Sequence, residues 1–128
     1  MEKKCVIAPN GPPAVGLYSH AVAVGNLLFV SGFGPMAQDG SGVKRGTFES
    51  EARLTFSNLK AVLEDAGSSL SRVIKTTCYL ADMNNFQEFN SIYKEYFTSD
   101  FPARTTLQAG RLPMDIQVEI EAVALIGG

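Results

Sequence analysis

Along the chain, apolar residues either alternate with polar ones or recur at helical spacing, and glycine and proline mark the breaks between these stretches. His20-Ala21-Val22-Ala23-Val24 and Leu27-Leu28-Phe29-Val30-Ser31 flank Gly25-Asn26, which predicts a β-hairpin closed by a tight turn. From about Ser50 to Ala66, the residues Phe56, Leu59, Val62 and Leu63 fall on one helical face, and Gly67 stops the helix. Arg72 to Leu80 is rich in β-branched residues and reads as a central strand. Asp82 is placed to cap a second helix whose apolar stripe is Phe86, Phe89, Tyr93, Tyr96 and Phe97. Two strands follow, Phe101 to Gln108 and Ile116 to Ala124. Alternation puts Arg104, Thr106 and Gln108 on one face of the first. In the second, Val118, Ile120, Ala122 and Ala124 form the apolar face and leave Gln117, Glu119 and Glu121 opposite. Ahead of the hairpin, Pro9-Asn10-Gly11-Pro12-Pro13 reads as a rigid loop.

This order predicts an α+β fold: a mixed sheet with both helices on one face, because βαβ crossovers share one hand. Leu27 to Val30 is apolar on both faces, so the side without helices is expected to pack against another copy of the chain in a closed ring.

A length of 128 residues fits one domain spanning 1–128, with a core that needs neither disulfides nor a metal. The net charge of -2, with signs interspersed, gives no long-range attraction to nucleic acid or to anionic membranes. Cys5 and Cys78 are distant in sequence and fit two reduced thiols. The Met-Glu-Lys-Lys start and the lack of a spanning apolar segment place the chain in the cytoplasm. One histidine and two separated cysteines do not make a zinc cluster, and His20 reads as a strand-start residue rather than a triad member. Gly32-Phe33-Gly34-Pro35 lacks the spacing of a phosphate loop. No metal and no cofactor is implied.

Arg104 carries the first chemical question. A strand arginine commonly pairs with a surface acid, but its planar fork also suits a small organic carboxylate, and Phe101-Pro102 with Thr105 to Leu107 surround it with little that would solvate a charge. Glu119 and Glu121 are either solvated strand-face charges or groups that handle a water. Asn90 falls on the apolar stripe of the second helix, where its amide either bonds a loop or orients a ligand. Tyr18 and Ser31 border the hairpin and suit either packing or ligand contact. Cys78 reads as an inert core thiol.

With Gly16 to Ala21, Val30-Ser31-Gly32, Asn58 to Leu63, Leu80 to Met83, Phe89 to Tyr93, Pro102-Ala103-Arg104 and Val118 to Ala122 in view, nearly the whole chain resembles the RidA/YjgF family of reactive-imine deaminases. The resemblance implies a chorismate-mutase-like fold, a homotrimer with clefts between subunits, and a last strand inserted between earlier ones. It implies substrates such as 2-aminoacrylate and 2-iminopropanoate, released by pyridoxal-phosphate enzymes and hydrolysed to 2-keto acids and ammonia. Arg104 would bind the carboxylate and Glu119 would position or deprotonate water. Tyr18, Ser31, Asn90 and Thr106 would line the cleft, with Glu121 structural.

The chain departs from the family pattern at Leu17 (usually Pro), Phe33 (often Gln), Glu51 (commonly Gln), Gly110 (Ala) and Thr106 (Cys in many bacterial members). Leu17 and Phe33 are expected to reshape the pocket wall. Two other functions fit the resemblance: an endoribonuclease, which the acidic balance and lone histidine disfavour, and a non-enzymatic metabolite sensor or chaperone-like oligomer.

Overall fold

The computed structural model describes residues 1–127. Six strands form one mixed sheet: β1 (Lys3–Val6), β2 (Ala21–Val24), β3 (Leu27–Phe33), β4 (Val73–Leu80), β5 (Ala103–Gln108) and β6 (Val118–Leu125), in the spatial order β1-β2-β3-β6-β4-β5. Only β4 and β5 run parallel; every other neighbouring pair is antiparallel. The last strand is thus inserted between β3 and β4, at the centre of the sheet. Two helices, α1 (Phe48–Asp65) and α2 (Phe86–Tyr96), lie on one face, as expected for a chorismate-mutase-like fold. None of the described helices is long and apolar enough to cross a membrane.

Alternation on β6 decides which face is the core. Val118, Ile120, Ala122 and Ala124 are buried under the helices, together with Leu28 and Val30 of β3 and Cys78 and Leu80 of β4. Phe56 of α1 joins the two helices: its ring stacks on Tyr96 at 4.5 Å and on Phe89 at 5.9 Å, and meets Tyr93 edge-on at 5.8 Å. Ring pairs of this geometry add to the gain from burying their area. The opposite face has no helix, and Phe29 there remains 47% exposed.

Local chemistry sets the boundaries. Helix α1 starts two residues before the expected Ser50, because Thr47 caps it by accepting from Ser50 N–H at 3.1 Å. It ends in a Schellman turn: Gly67 takes φ +86°, and Ser68 N–H donates to Leu63 O at 2.8 Å. Asp82 caps not α2 itself but a short 3₁₀ turn, Met83–Asn85, that leads into it, accepting from Asn84 N–H at 2.9 Å. Strand β1 has no counterpart in the sequence reading. It is an edge strand whose Lys3, Lys4 and Cys5 are all exposed, so its residues show no apolar alternation. Strands β5 and β6 begin two residues later than expected, after Pro102 and after the Pro113–Asp115 turn.

Phe56→Ala is expected to cost about 3–5 kcal/mol of unfolding free energy, since it empties the junction of both helices. The urea midpoint should fall with little change in slope.

Candidate functional site

Arg104 stands on the edge strand β5 beneath α2. Its guanidinium lies over the ring of Tyr93, 4.8 Å from the centroid, and 5.6 Å from that of Phe86. Its Nη1 donates to Asn90 Oδ1 at 2.7 Å. Tyr93 is fixed in turn by a 2.8 Å hydrogen bond between its hydroxyl and that of Thr76. Among the described residues Arg104 has no ion pair; Arg53 and Arg111 make those that form. Arg104 is therefore not the acid-paired surface arginine of the plainer reading. Asn90 Oδ1 bonds this guanidinium rather than a neighbouring loop. Together with Lys94 and Pro102 they line a hollow of about 270 Å³.

Thr106 shares the helix-side face with Arg104, and its buried Oγ1 has no hydrogen-bond partner among the described residues. Beside it, burial pushes the Cys78 thiol up to about 11, which keeps it protonated and unreactive.

A second group gathers where β3 bends. Val30 lies opposite Ala122 but Phe33 opposite Ile120, so β3 carries an extra residue at Ser31-Gly32, a β-bulge. Ser31 is anchored there, its hydroxyl donating to Ser19 O at 2.7 Å and its N–H to His20 O at 3.1 Å. Glu119 packs against the bulge so closely that a Cβ on Gly32 would sit 2.6 Å from Glu119 Oε2. Burial, and then the charge of Glu121, hold the Glu119 carboxyl above the ordinary glutamate range. Glu121 accepts a 2.6 Å hydrogen bond from Tyr79, whose hydroxyl is pushed up to about 12 mainly by that bond. Tyr18, 43% exposed, completes the group and receives a long 3.4 Å contact from Val15 N–H. Tyr18, Ser31, Gly32 and Glu119 line a cleft of about 370 Å³ between the Pro12–Tyr18 loop, the end of β3 and the segment 113–116.

Buried polar side chains hold these loops in place. His20 accepts Ala8 N–H at Nδ1 (2.9 Å), leaving Nε2 to donate to Pro12 O at 2.7 Å. More than a strand-start residue, it ties the proline-rich loop to the sheet. Asn58 donates to Gly34 O at 3.0 Å and Met36 O at 2.9 Å. Buried Glu51 receives Gly46 N–H and both the backbone and side-chain N–H groups of Gln117.

The departures from the family pattern separate. Phe33 lines the cleft, though its ring is buried and stacked on His20 at 6.0 Å. Leu17 is fully exposed and does not line the cleft within one chain, because its loop holds it out in solvent. A Cβ on Gly110 would meet nothing within 4 Å.

The proposed site residues thus form two groups. Arg104 is level with Thr76, and Thr76 with Ala122, all facing the helices. Glu119 is level with Tyr79 and Leu107 on the other face. Arg104, Asn90 and Thr106 belong to one face of the sheet; Tyr18, Ser31 and Glu119 belong to the other group. Among the described residues, the cleft that holds Glu119 and the hollow that holds Arg104 share no lining residue. Sequence patterning missed Lys94 and Met114 as lining residues, whereas Gly32, which permits close backbone approach beside Ser31, does line the cleft and marks the bulge. Among the described residues, no group of three or more His, Cys, Asp or Glu is arranged to hold a metal ion.

Comparisons with known proteins agree with this arrangement of elements. Yeast Protein HMF1 is 43% identical, over 93% of this chain and 92% of its own length. The human 2-iminobutanoate/2-iminopropanoate deaminase is 38% identical, over 98% of this chain and 91% of its own. The crystal structure of E. coli TdcF with bound serine superposes with a TM-score of 0.90 at 34% identity, covering 97% of this chain and 99% of that one. A family model described as endoribonuclease L-PSP matches residues 8–126, and on that match the chain belongs to the RidA/YjgF family.

Proposed function

We propose that the protein hydrolyses small 2-imino acids, such as 2-iminopropanoate and its enamine 2-aminoacrylate, to 2-keto acids and ammonia. The observation that carries this reading is Arg104, unpaired by any acid among the described residues and held by Asn90 and Tyr93 with donors left over for a ligand. A guanidinium in that state suits a carboxylate bound through two parallel hydrogen bonds. The relatives named as imine deaminases, and the relative crystallised with serine, support a ligand of this size and charge.

Glu119 supplies the second function. Its carboxyl, held above the ordinary glutamate range by burial and the charge of Glu121, suits a group that takes a proton from water and returns it. The water oxygen bonds to the imine carbon while the C=N π pair moves to nitrogen, which receives the proton Glu119 took from water and so completes a carbinolamine. Glu119 then takes the hydroxyl proton and passes it to nitrogen as C=O forms and the C–N bond breaks, releasing ammonia. Tyr18, Ser31 and Thr106 serve as positioning contacts.

Arg104 and Glu119 lie on opposite faces of the sheet, so one small substrate reaches both only if they come from different subunits. A homotrimer in which each subunit's Arg104 hollow meets its neighbour's Glu119 cleft satisfies this and covers the helix-free face. The nuclease reading has less support, since His20, the lone histidine, uses both ring nitrogens inside the fold.

Arg104→Ala should lower kcat/KM for imine hydrolysis by about a hundredfold or more, the loss expected for an ionic contact of roughly 3 kcal/mol; unchanged turnover would sink the mechanism. Mixing equal amounts of Arg104→Ala and Glu119→Gln subunits, each inactive alone, should restore about a quarter of wild-type activity, because a random ring pairs the intact residues at that fraction of its interfaces. The acid limb of the kcat/KM profile should show an apparent pKa above the usual glutamate value of about 4.3, and Glu121→Gln should move it down. Because a raised carboxyl pKa makes the folded state bind its proton more tightly than the unfolded one, ionised Glu119 weakens the fold at pH 7. Glu119→Gln should therefore raise Tm at pH 7, with the gain vanishing below the ordinary glutamate pKa.

A further inference from the structure

One wall of the Glu119 cleft is built from backbone in an uncommon state. Met114 and Asp115 are consecutive non-glycine residues in the left-handed region, at φ +58° and +52°. Side chains other than glycine enter that region rarely, and two in succession need outside support. Arg45, distant in sequence, supplies it: Nη2 donates to Met114 O at 2.6 Å and Nη1 to Asp115 O at 3.3 Å. The residue after it is fastened to the end of the same segment, since Gly46 O accepts from Gln117 Nε2 at 3.2 Å and Gly46 N–H donates to Glu51 Oε2 at 3.2 Å. Glu51 also receives Gln117 N–H at 3.2 Å. The turn is thus clamped at its strained residues and just beyond them.

The clamp fixes the place of one side chain. Met114 is 47% exposed and, with Pro113, Ile116, Val15 and Met36, contributes an apolar lining to the cleft that also holds Glu119. The cleft volume of about 370 Å³ equals that of roughly a dozen waters at about 30 Å³ each. The carboxylate of a bound imino acid belongs at Arg104 and its imine carbon near Glu119, so what remains for the apolar wall is the substrate's side chain. A methyl group would leave most of that wall wet.

We propose that Met114 determines which imino-acid side chains the protein accepts, favouring aliphatic groups longer than methyl, and that Arg45 is the positioning residue that holds Met114 in the wall. The proposal rests on the imine-hydrolysis reading above. Methionine suits the role because its unbranched thioether adapts to several aliphatic shapes.

The test measures kcat/KM on 2-imino acids generated in situ from amino acids with methyl, ethyl and isobutyl side chains by an amino-acid oxidase. The wild type should favour the ethyl and isobutyl substrates over the methyl one. Met114→Ala should change the isobutyl-to-methyl ratio by about tenfold, the discrimination that a methylene or more of pocket contact provides. Arg45→Gln should shift that ratio in the same direction, through KM rather than kcat, and Arg45→Lys should recover part of the wild-type ratio. A ratio that stays within about twofold of wild type in Met114→Ala overturns the proposal, and this variant decides even if Arg45→Gln fails to fold. Arg104→Ala, run on the methyl substrate, keeps the two readings apart. Lost turnover with an unmoved ratio in the Met114 variant refutes only the specificity assignment, whereas retained turnover refutes the imine-hydrolysis reading beneath it.

Discussion

A strand can offer each side chain to one face of its sheet only, and the centre of this molecule is organised by that constraint on β6. Because Val118, Ile120, Ala122 and Ala124 are committed to the helices, Glu119 and Glu121 have no choice of side. The insertion of β6 between β3 and β4 then carries the glutamates to the middle of the uncovered face, beside the bulge at Ser31-Gly32. Arg104 obeys the same rule with the opposite result. Its level partners Thr76 and Ala122 are core residues, so the guanidinium emerges under α2. The separation of the two charged groups follows from register, and the reading of a shared site follows from that separation.

Around this frame, buried polar groups do for the loops what hydrophobic packing does for the sheet. His20, Asn58 and Glu51 each sit in the interior and bond backbone groups of the loops and strand ends around the cleft, Glu51 also receiving the Gln117 side chain. An interior polar atom is tolerated where it finds partners, and its directional bonds then define a loop more narrowly than apolar contact does. The cleft therefore has a shape of its own within a single chain, while the Arg104 hollow depends on rings and one amide.

Much of this was legible in the sequence, for physical reasons that differ by element. The β2–β3 hairpin, both helices and the two-faced character of β6 could be read because their periodicity is the direct imprint of half-burial. Strand β1 could not, since an exposed edge strand buries neither face and leaves no imprint. The site was legible as a set of residue types on particular faces, and the RidA/YjgF resemblance selected among them. Patterning alone left open which faces would end up together, because the distance between Arg104 and Glu119 depends on β4 lying between β5 and β6. Arg45 was invisible for a related reason: its partners are carbonyl oxygens, which no side-chain pattern reports.

The near-contact between Gly32 and Glu119 has a consequence for how this chain can vary. The volume a methyl group would occupy at residue 32 is already filled by the end of the glutamate. The two positions share one allotment of space, so an alanine at 32 would turn the flexible end of Glu119 aside rather than displace the strand. The sheet would tolerate that exchange while the carboxyl lost its present place. Glycine at 32 therefore governs where the acid points more than whether the sheet forms.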